Sequence, residues 1–327
     1  MTLRAGIIGC GKRGRRHAMG YLASDQVELV ACADPFAEAR QGFAAEFGIP
    51  QSYDDYRRML AEEKLDVVSI CTWTGLHKEM IVDAAGSGVR AIHSEKPMAT
   101  TWGDAKALYQ ACQDHGVVIT FCHQRRFESS FVKAKQLLDA GEIGQLYRLE
   151  GGCHNMFDWG THWFDMFFFL NDDEPAEWVI AQIDVAERRE VFAVPVDTGG
   201  VSWVRFRNGV EGLLTTGSAM MDGPRIRLLG SEGAIEIMGS DNAPVRIRRR
   251  GAGDWEPVTL DAGVPAAQAT TASVQDLVEA LQATELIFAT YESSRRRGLV
   301  TLPLDVDDSA LLTMLETGMI GPRGPAA

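Results

Sequence analysis

AGIIGCGKRG, at residues 5–14, is the most informative segment of this 327-residue sequence. A short apolar run leads into three glycines, Gly9, Gly11 and Gly14, and a helical pattern follows them. This spacing suits a tight turn from a strand into a helix, where a dinucleotide pyrophosphate approaches the backbone and lies at the positive end of the helix. The segment predicts a dinucleotide-binding unit at the start of the chain.

Asp34 extends this prediction to the choice of cofactor. It follows Gly14 by 20 residues and ends the second predicted strand. A carboxylate there accepts both ribose hydroxyls of NAD and repels the 2′-phosphate of NADP, so NAD is favoured. Nearby cations that can alternatively reach a 2′-phosphate keep NADP as the less favoured cofactor. They are Lys12, Arg13, Arg15, Arg16 and Arg40. The other interpretation, loop glycines and a helix-capping Asp34, is disfavoured because strand, spacing and acid all fall where the motif needs them.

Short apolar runs alternate with amphipathic ones on either side of this motif. Strands are predicted at 5–8, 27–33, 66–71, 89–93 and 117–122, and helices at 15–22, 37–47, 54–62, 77–87 and 101–115. Nearly continuous apolar strands separated by helices are typical of a parallel sheet covered on both faces. Residues 1–123 therefore form the first predicted domain, an α/β Rossmann domain with a doubly wound sheet.

The pattern changes after residue 123. Strands are predicted at 145–151, 178–185, 200–206, 210–216, 225–229 and 234–238, and helices at 131–140, 160–170 and 273–292. Asn208-Gly209 is a strong hairpin turn between two of these strands. Residues 124–327 are therefore predicted to form an α+β domain with one open, mostly antiparallel sheet.

The overall composition excludes several classes of protein. With 46% hydrophobic and 24% charged residues, the chain is expected to be globular, and its length favours two domains. A formal net charge of −13 disfavours nucleic acid and anionic membranes as partners. The longest aromatic and aliphatic run, 163–170, contains Asp165 and is too short for a membrane span. The sequence has no Cys-x-x-Cys pair, and its N-terminus lacks a signal-peptide pattern, so we expect a cytoplasmic protein. The spacings of its histidines and cysteines predict no metal site.

Two segments carry candidate catalytic groups. Lys96, in Ser94-Glu95-Lys96-Pro97, follows the strand at 89–93, at the sheet edge where ligands bind in α/β folds; the alternative is a surface ion pair. If a helix begins near Asp158, then Asp158, His162 and Asp165 share one face of it, which suits general acid/base catalysis. The alternative there is a capping Asp158 and a core histidine.

Taken together, the sequence resembles the Gfo/Idh/MocA oxidoreductases, nicotinamide-dependent enzymes that act on sugars, cyclitols and related polyols. The resemblance runs nearly end to end and rests on six segments. They are residues 9–14 with Asp34, 66–72 followed by His77, Glu95-Lys96-Pro97, 124–127, 141–144 and 158–165.

The resemblance implies a Rossmann domain that carries NAD(H) and a C-terminal domain whose open sheet often mediates oligomers, which here predicts a homodimer or homotetramer. It also implies that Lys96, Asp158 and His162 are the catalytic residues. The predicted cofactor contacts are Gly9, Gly11, Lys12, Arg13, Gly14, Asp34, Thr72, His77, Glu95 and Lys96.

Two departures from the family pattern bear on the substrate. Thr72-Trp73 stands where Thr-Pro is common, and His154-Asn155-Met156-Phe157 is more polar and aromatic than usual. The predicted substrate contacts are Lys96, Trp73, Arg126, His154, Asn155, Trp159 and His162. Trp73, Trp159 and Trp163 are interpreted either as stacking platforms for a sugar or as core and interface residues.

These residues predict reversible hydride transfer between a secondary carbinol carbon and nicotinamide C4. His162 takes the hydroxyl proton, Lys96 stabilises the developing alkoxide and Asp158 positions the substrate or Lys96; which of Lys96 and His162 finally carries the proton stays open. One alternative is NAD-dependent glycoside cleavage, suggested by the aromatic and histidine content near His154 and Trp73. The other is a non-catalytic NAD sensor, which retention of the three catalytic residues disfavours.

Overall fold

The computed structural model describes residues 2–25, 27–220, 223–238, 244–261 and 277–321. These residues fall into two compact units, one drawn from Met1–Gln124 and Pro265–Ala280 and the other from Arg125–Val264 and Leu281–Ala327. Within the described ranges, no helix is both long enough and apolar enough to cross a membrane.

The first unit contains a six-stranded sheet with the order β3-β2-β1-β4-β5-β6. Its strands are β1 (Leu3–Ile8), β2 (Val27–Ala33), β3 (Gln51–Tyr53), β4 (Val67–Ile70), β5 (Ala91–Ser94) and β6 (Val118–Phe121). Its helices are α1 (Lys12–Leu22), α2 (Ala37–Phe47), α3 (Tyr56–Glu62), α4 (Thr74–Gly86) and α5 (Trp102–Asp114). All neighbouring strands pair in parallel, so the predicted doubly wound sheet is confirmed.

Local sequence signals set the ends of these helices. Asp55 accepts a hydrogen bond from the Arg57 N–H and caps α3, and Thr101 caps α5 through the Asp104 N–H. Gly48 ends α2 in the left-handed conformation that glycine adopts without strain. The strand order reverses at β1, between β2 and β4, so the carboxyl ends of these strands border the crevice where open α/β sheets bind ligands.

The second unit contains a nine-stranded sheet with the order β16-β15-β14-β13-β7-β12-β11-β8-β17, and a separate pair, β9 and β10. Its strands are β7 (Leu146–Cys153), β8 (Ala176–Asp184), β9 (Arg189–Val191), β10 (Val194–Val196), β11 (Gly199–Phe206), β12 (Glu211–Gly217), β13 (Ile226–Gly230), β14 (Gly233–Ile237), β15 (Val245–Arg249), β16 (Glu256–Val258) and β17 (Val300–Thr301). The remaining elements are a 3-10 helix at Gln124–Phe127 and the helices α6 (Ser129–Asp139), α7 (Gly160–Leu170), α8 (Leu277–Arg296) and α9 (Ala310–Glu316). The 3-10 helix belongs to this unit from Arg125 onward, and α8 from Leu281 onward.

The predicted antiparallel character of this sheet is confirmed, with one exception. β7 pairs with β12 in parallel, and the other neighbours are antiparallel. The Asn208-Gly209 turn joins β11 to β12 as predicted, with Gly209 at a φ of +89°. Beside this main sheet, β9 and β10 form a small antiparallel hairpin of their own, which the sequence did not predict. Residues 273–276 of the predicted helix at 273–292 lie outside the described residues.

The aromatic helix α7 forms much of the interior of the second unit. Trp163, Phe164, Phe167 and Phe168 are all at most 1% exposed. The Trp163 indole N–H donates to the Arg225 carbonyl oxygen at 2.9 Å, so its polar atom has a partner in the interior. Trp163 is therefore a core residue, as one of the two interpretations of its sequence allowed.

Candidate functional site

The glycine-rich turn after β1 is built by three glycines with different surroundings. Gly9 has a φ of +99°, and a Cβ on Gly14 would lie 2.1 Å from the Gly9 carbonyl oxygen, so neither position accepts a larger residue without a shift of the backbone. Gly11 is the N-cap of α1, and a Cβ there would meet nothing within 4 Å. Its backbone thus borders open space at the positive end of a helix, which fits the pyrophosphate of a dinucleotide.

Asp34 lies just beyond the carboxyl end of β2, next to this turn. One carboxylate oxygen accepts the Cys10 N–H and the other accepts the Phe36 N–H, both at 3.0 Å. These bonds hold the carboxylate beside the glycine turn, where the hydroxyls of a bound ribose would reach it.

The cations predicted as a possible 2′-phosphate site are differently engaged. Arg15 pairs with Glu46, and Arg40 donates to the carbonyl oxygens of Asp34 and Pro35. Lys12 and Arg16 are exposed. The carboxylate of Asp34, which would repel a 2′-phosphate, therefore accounts for the preference for NAD.

Glu95 and Lys96 follow β5 at the same edge of the sheet. Glu95 is 4% exposed; it accepts a hydrogen bond from His17 Nε2 at 3.4 Å and lies 3.8 Å from Arg13 Nε. Burial raises the pKa of Glu95, but the hydrogen bond and the charges of His17, Arg13 and Lys96 outweigh it and hold the pKa at about 2. Lys96, the next residue, is 8% exposed.

His77 joins the strand end after β4 to the loop that carries Lys96. Its Nδ1 lies 2.9 Å from the Pro97 carbonyl oxygen and its Nε2 lies 3.2 Å from that of Thr72. The side chain is fully buried, and burial lowers its pKa. This geometry favours a positioning role, and direct contact of His77 with a cofactor stays a prediction. Trp73, the N-cap of α4, is 62% exposed.

In the second unit, Asn155 organises the turn before α7. Its side-chain oxygen accepts the N–H groups of Asp158 at 2.7 Å and Trp159 at 3.4 Å, and its carbonyl oxygen accepts the Gly160 N–H at 2.9 Å. The helix consequently begins at Gly160, and Asp158 lies in the turn outside it. The helix starts at the predicted residue 160 and leaves Asp158 outside it, so Asp158 does not share a helix face with His162 and Asp165.

His162 and Asp165 both lie within α7, at 4% and 0% exposure. Asp165 accepts a hydrogen bond from Arg126 Nε at 2.9 Å, and Arg126 Nη2 donates to Asp173 at 2.9 Å. Asp165 thus belongs to an ion-pair network with Arg126 and Asp173. The same contacts favour a structural role for Arg126, whose predicted contact with substrate stays a prediction.

An aromatic group lies beside this turn. The half-buried Trp159 ring meets the exposed His154 edge-on at 5.0 Å between centroids and the Trp163 ring at 6.0 Å. The Arg125 guanidinium lies 4.8 Å from the Trp163 centroid and 5.8 Å from that of Trp159. Because His154 is exposed and Trp159 is half-buried, both rings remain partly accessible to a ligand.

Asp197 supports the same turn and was not found by sequence reasoning. One carboxylate oxygen accepts the Met156 N–H at 2.8 Å and the Tyr291 hydroxyl at 3.0 Å, and the other accepts the Thr216 hydroxyl at 2.8 Å. The residue is 1% exposed, and burial raises its pKa despite these three donors. No local sequence pattern marks Asp197, because its donors come from three separate parts of the chain.

The sequence matches two protein-family models and resembles known dehydrogenases. Residues 3–123 match the family model for "Oxidoreductase family, NAD-binding Rossmann fold", and residues 148–236 match the model for "GFO/IDH/MocA C-terminal domain". The myo-inositol 2-dehydrogenase of Thermotoga maritima is 26% identical over 253 residues, 71% of this chain and 74% of its own length.

Two solved structures extend the similarity to most of the chain. A levoglucosan dehydrogenase in complex with NADH has a TM-score of 0.80 at 20% identity, over 93% of this chain and 100% of its own, which shows a shared fold. The WlbA dehydrogenase from Bordetella pertussis, in complex with NADH and UDP-GlcNAcA, has a TM-score of 0.75 at 26% identity, over 93% and 100% of the two chains.

Proposed function

Since the chain belongs to the Gfo/Idh/MocA family of NAD-binding oxidoreductases, we propose that it is a dehydrogenase for a secondary hydroxyl group of a sugar, cyclitol or related polyol. The observation that carries this proposal is the burial of the charged residues Glu95 and Lys96 at the carboxyl end of β5, on the sheet that also carries the glycine turn and Asp34. The T. maritima relative is named for a dehydrogenase reaction on a cyclitol, which supports this class of substrate.

The cofactor contacts follow from the first unit. The backbone at Gly9, Gly11 and Gly14 would border the pyrophosphate and Asp34 would accept the ribose hydroxyls. NAD, when bound, supplies a hydride acceptor at nicotinamide C4. Lys12, Arg13 and Thr72 are proposed as further contacts at the same edge.

The protein's own groups would handle the proton and the charge on oxygen. Lys96 donates a hydrogen bond to the substrate hydroxyl oxygen and stabilises negative charge as the hydride leaves the carbinol carbon. His162 accepts the hydroxyl proton as general base, and Asp158 orients the substrate or Lys96. The electrostatic and general-base contributions are each expected to supply about 10²–10⁴-fold in rate.

Substrate selection is proposed to involve the accessible aromatic residues. Trp73, His154 and Trp159 have exposed or half-exposed rings that suit the C–H face of a sugar or cyclitol. Asn155 and Arg126 act mainly on the protein itself, through the Asp158 turn and the Asp165 pair.

An NAD-linked absorbance screen over sugars, inositols, sugar acids and glycosides tests the proposal. We expect a free polyol to reduce NAD, with Lys96→Met and His162→Asn each losing at least about 10²-fold in turnover. The matched control is Lys78→Met, which removes an exposed lysine paired with Asp104 on the same unit. Release of an aglycone without accumulation of NADH would instead indicate glycoside cleavage, which the named dehydrogenase relatives do not favour.

A further inference from the structure

Three metal-ligating side chains meet in the interior of the first unit. They are His17 of α1, His93 of β5 and Cys122, which directly follows β6. One ligating atom from each lies within 4.8 Å of the other two. All three residues are at most 5% exposed, and the two imidazole rings are 4.8 Å apart between centroids. Positions so distant in sequence have no metal-ligand spacing, which is why the sequence predicted no metal.

We propose that this cluster binds one Zn²⁺-type transition-metal ion through Nε2 of His17, Nε2 of His93 and the sulfur of Cys122. Two imidazole nitrogens and one thiolate are a common ligand set for zinc, with bonds of about 2.0–2.3 Å in a tetrahedral arrangement. The ligand atoms would need to close by about 1 Å to reach these distances.

Glu95 supplies a fourth ligand in the same place. Its Oε1 lies 3.4 Å from His17 Nε2. A divalent ion with one thiolate and one carboxylate has a formal charge of zero, which favours a site removed from water. Metal binding would release the Cys122 proton to solvent.

The Nδ1 atoms of both histidines, which would not bind the metal, each lie within hydrogen-bond distance of a hydroxyl group. His17 Nδ1 lies 3.0 Å from the Ser69 hydroxyl, and His93 Nδ1 lies 2.7 Å from the Thr120 hydroxyl. Metal-ligating histidines generally make such a second hydrogen bond, which fixes the ring and its tautomer. When the metal takes Nε2 of His17, the ring proton moves to Nδ1, where the Ser69 oxygen accepts it.

The test uses the full chain after treatment with a chelator. Co²⁺ serves as the spectroscopic probe, because a thiolate ligand produces a charge-transfer band that histidine or carboxylate ligands do not. We expect one Co²⁺ per chain with this band, displaced by Zn²⁺, and at least 10-fold weaker binding in His93→Gln. Cys122→Ser should abolish the band. Cys112→Ser is the matched control, since Cys112 is buried in α5 of the same unit and lies outside the cluster.

Three outcomes would overturn the proposal. They are failure of the wild-type chain to bind Co²⁺ or Zn²⁺ at millimolar concentration, binding without a thiolate band, and a band that survives in Cys122→Ser. If Cys122→Ser does not fold, X-ray absorption of the wild-type Zn²⁺ complex decides, with two imidazoles and one sulfur expected and a sulfur-free shell contradicting the site. NADH formation by the metal-free chain is measured separately, so failure of the metal site leaves the dehydrogenase proposal intact.

Discussion

Replacing Gly11 with alanine separates the role of the glycine turn in folding from its role in cofactor binding. The Gly11 backbone has a φ of −83°, which alanine adopts without strain, and a Cβ there would meet no protein atom within 4 Å. The added methyl group therefore occupies the space assigned to the pyrophosphate.

The two expected effects differ in size. Loss of a favourable N-cap glycine and the reduced freedom of the unfolded chain act in opposite directions, so the free energy of unfolding should change by less than about 1 kcal/mol. Displacing the pyrophosphate from even one backbone N–H loses a charge-assisted hydrogen bond worth about 1.5–3 kcal/mol. The Kd for NADH should accordingly rise about 10- to 150-fold.

NADH fluorescence titration measures the affinity, and urea unfolding measures the stability. Gly42→Ala is the matched control, because it adds the same methyl group to open space on α2, away from the turn. Gly14→Ala is the opposite case: its Cβ would lie 2.1 Å from the Gly9 carbonyl oxygen, so it should destabilise the fold by about 1–3 kcal/mol. Wild-type NADH affinity in Gly11→Ala would refute the assignment of the pyrophosphate to this turn.

Three further perturbations address the second unit. Arg126→Met leaves Asp165 as a buried charge without its ion pair to this arginine, so the free energy of unfolding should fall by roughly 3–5 kcal/mol in a urea titration; a loss below 1 kcal/mol would contradict the buried pair. The pKa of Asp197 is raised in the folded state, so its titration stabilises the fold at pH values below the ordinary aspartate pKa. This contribution to the free energy of unfolding is lost as the pH rises through the pKa of the folded state. Asp197→Asn should therefore gain stability relative to wild type over that rise in pH, and a constant difference between the two unfolding curves would argue against this origin. Trp203 and Ile180 are 41% and 39% exposed at paired positions of β11 and β8, so Trp203→Glu should convert the expected homodimer or homotetramer to a monomer in light scattering; a monomeric wild type would contradict the expected oligomer.

The parts of the fold that the sequence predicted best are those in which one local signal dominates. The bounds of β2 and α7 match the prediction to the residue, because each is a dense apolar run bounded by polar residues or glycine. β3 was missed because Gln51 and Ser52 are polar and exposed, and the strand forms only through its pairing with β2. Short edge strands of this kind depend on a neighbour that local sequence does not reveal.

The candidate site divides in the same way. The glycine turn and Asp34 follow from spacing along one continuous segment, so sequence alone located them. The turn that holds Asp158 could not be predicted in this way. It depends on the Asn155 amide and on Asp197, and Tyr291, one partner of Asp197, is 94 residues further along the chain. Contacts between distant segments carry no periodic signal, and only the folded chain reveals them.

Direct hydride transfer is decided by mass spectrometry of the dinucleotide. A polyol that reduces NAD in the substrate screen is prepared with deuterium on its carbinol carbon and incubated with the protein and NAD. We expect one deuterium in each NADH, on nicotinamide C4, in the same amount as the ketone formed. NADH that carries no deuterium, or deuterium recovered in water, would contradict the proposed reaction.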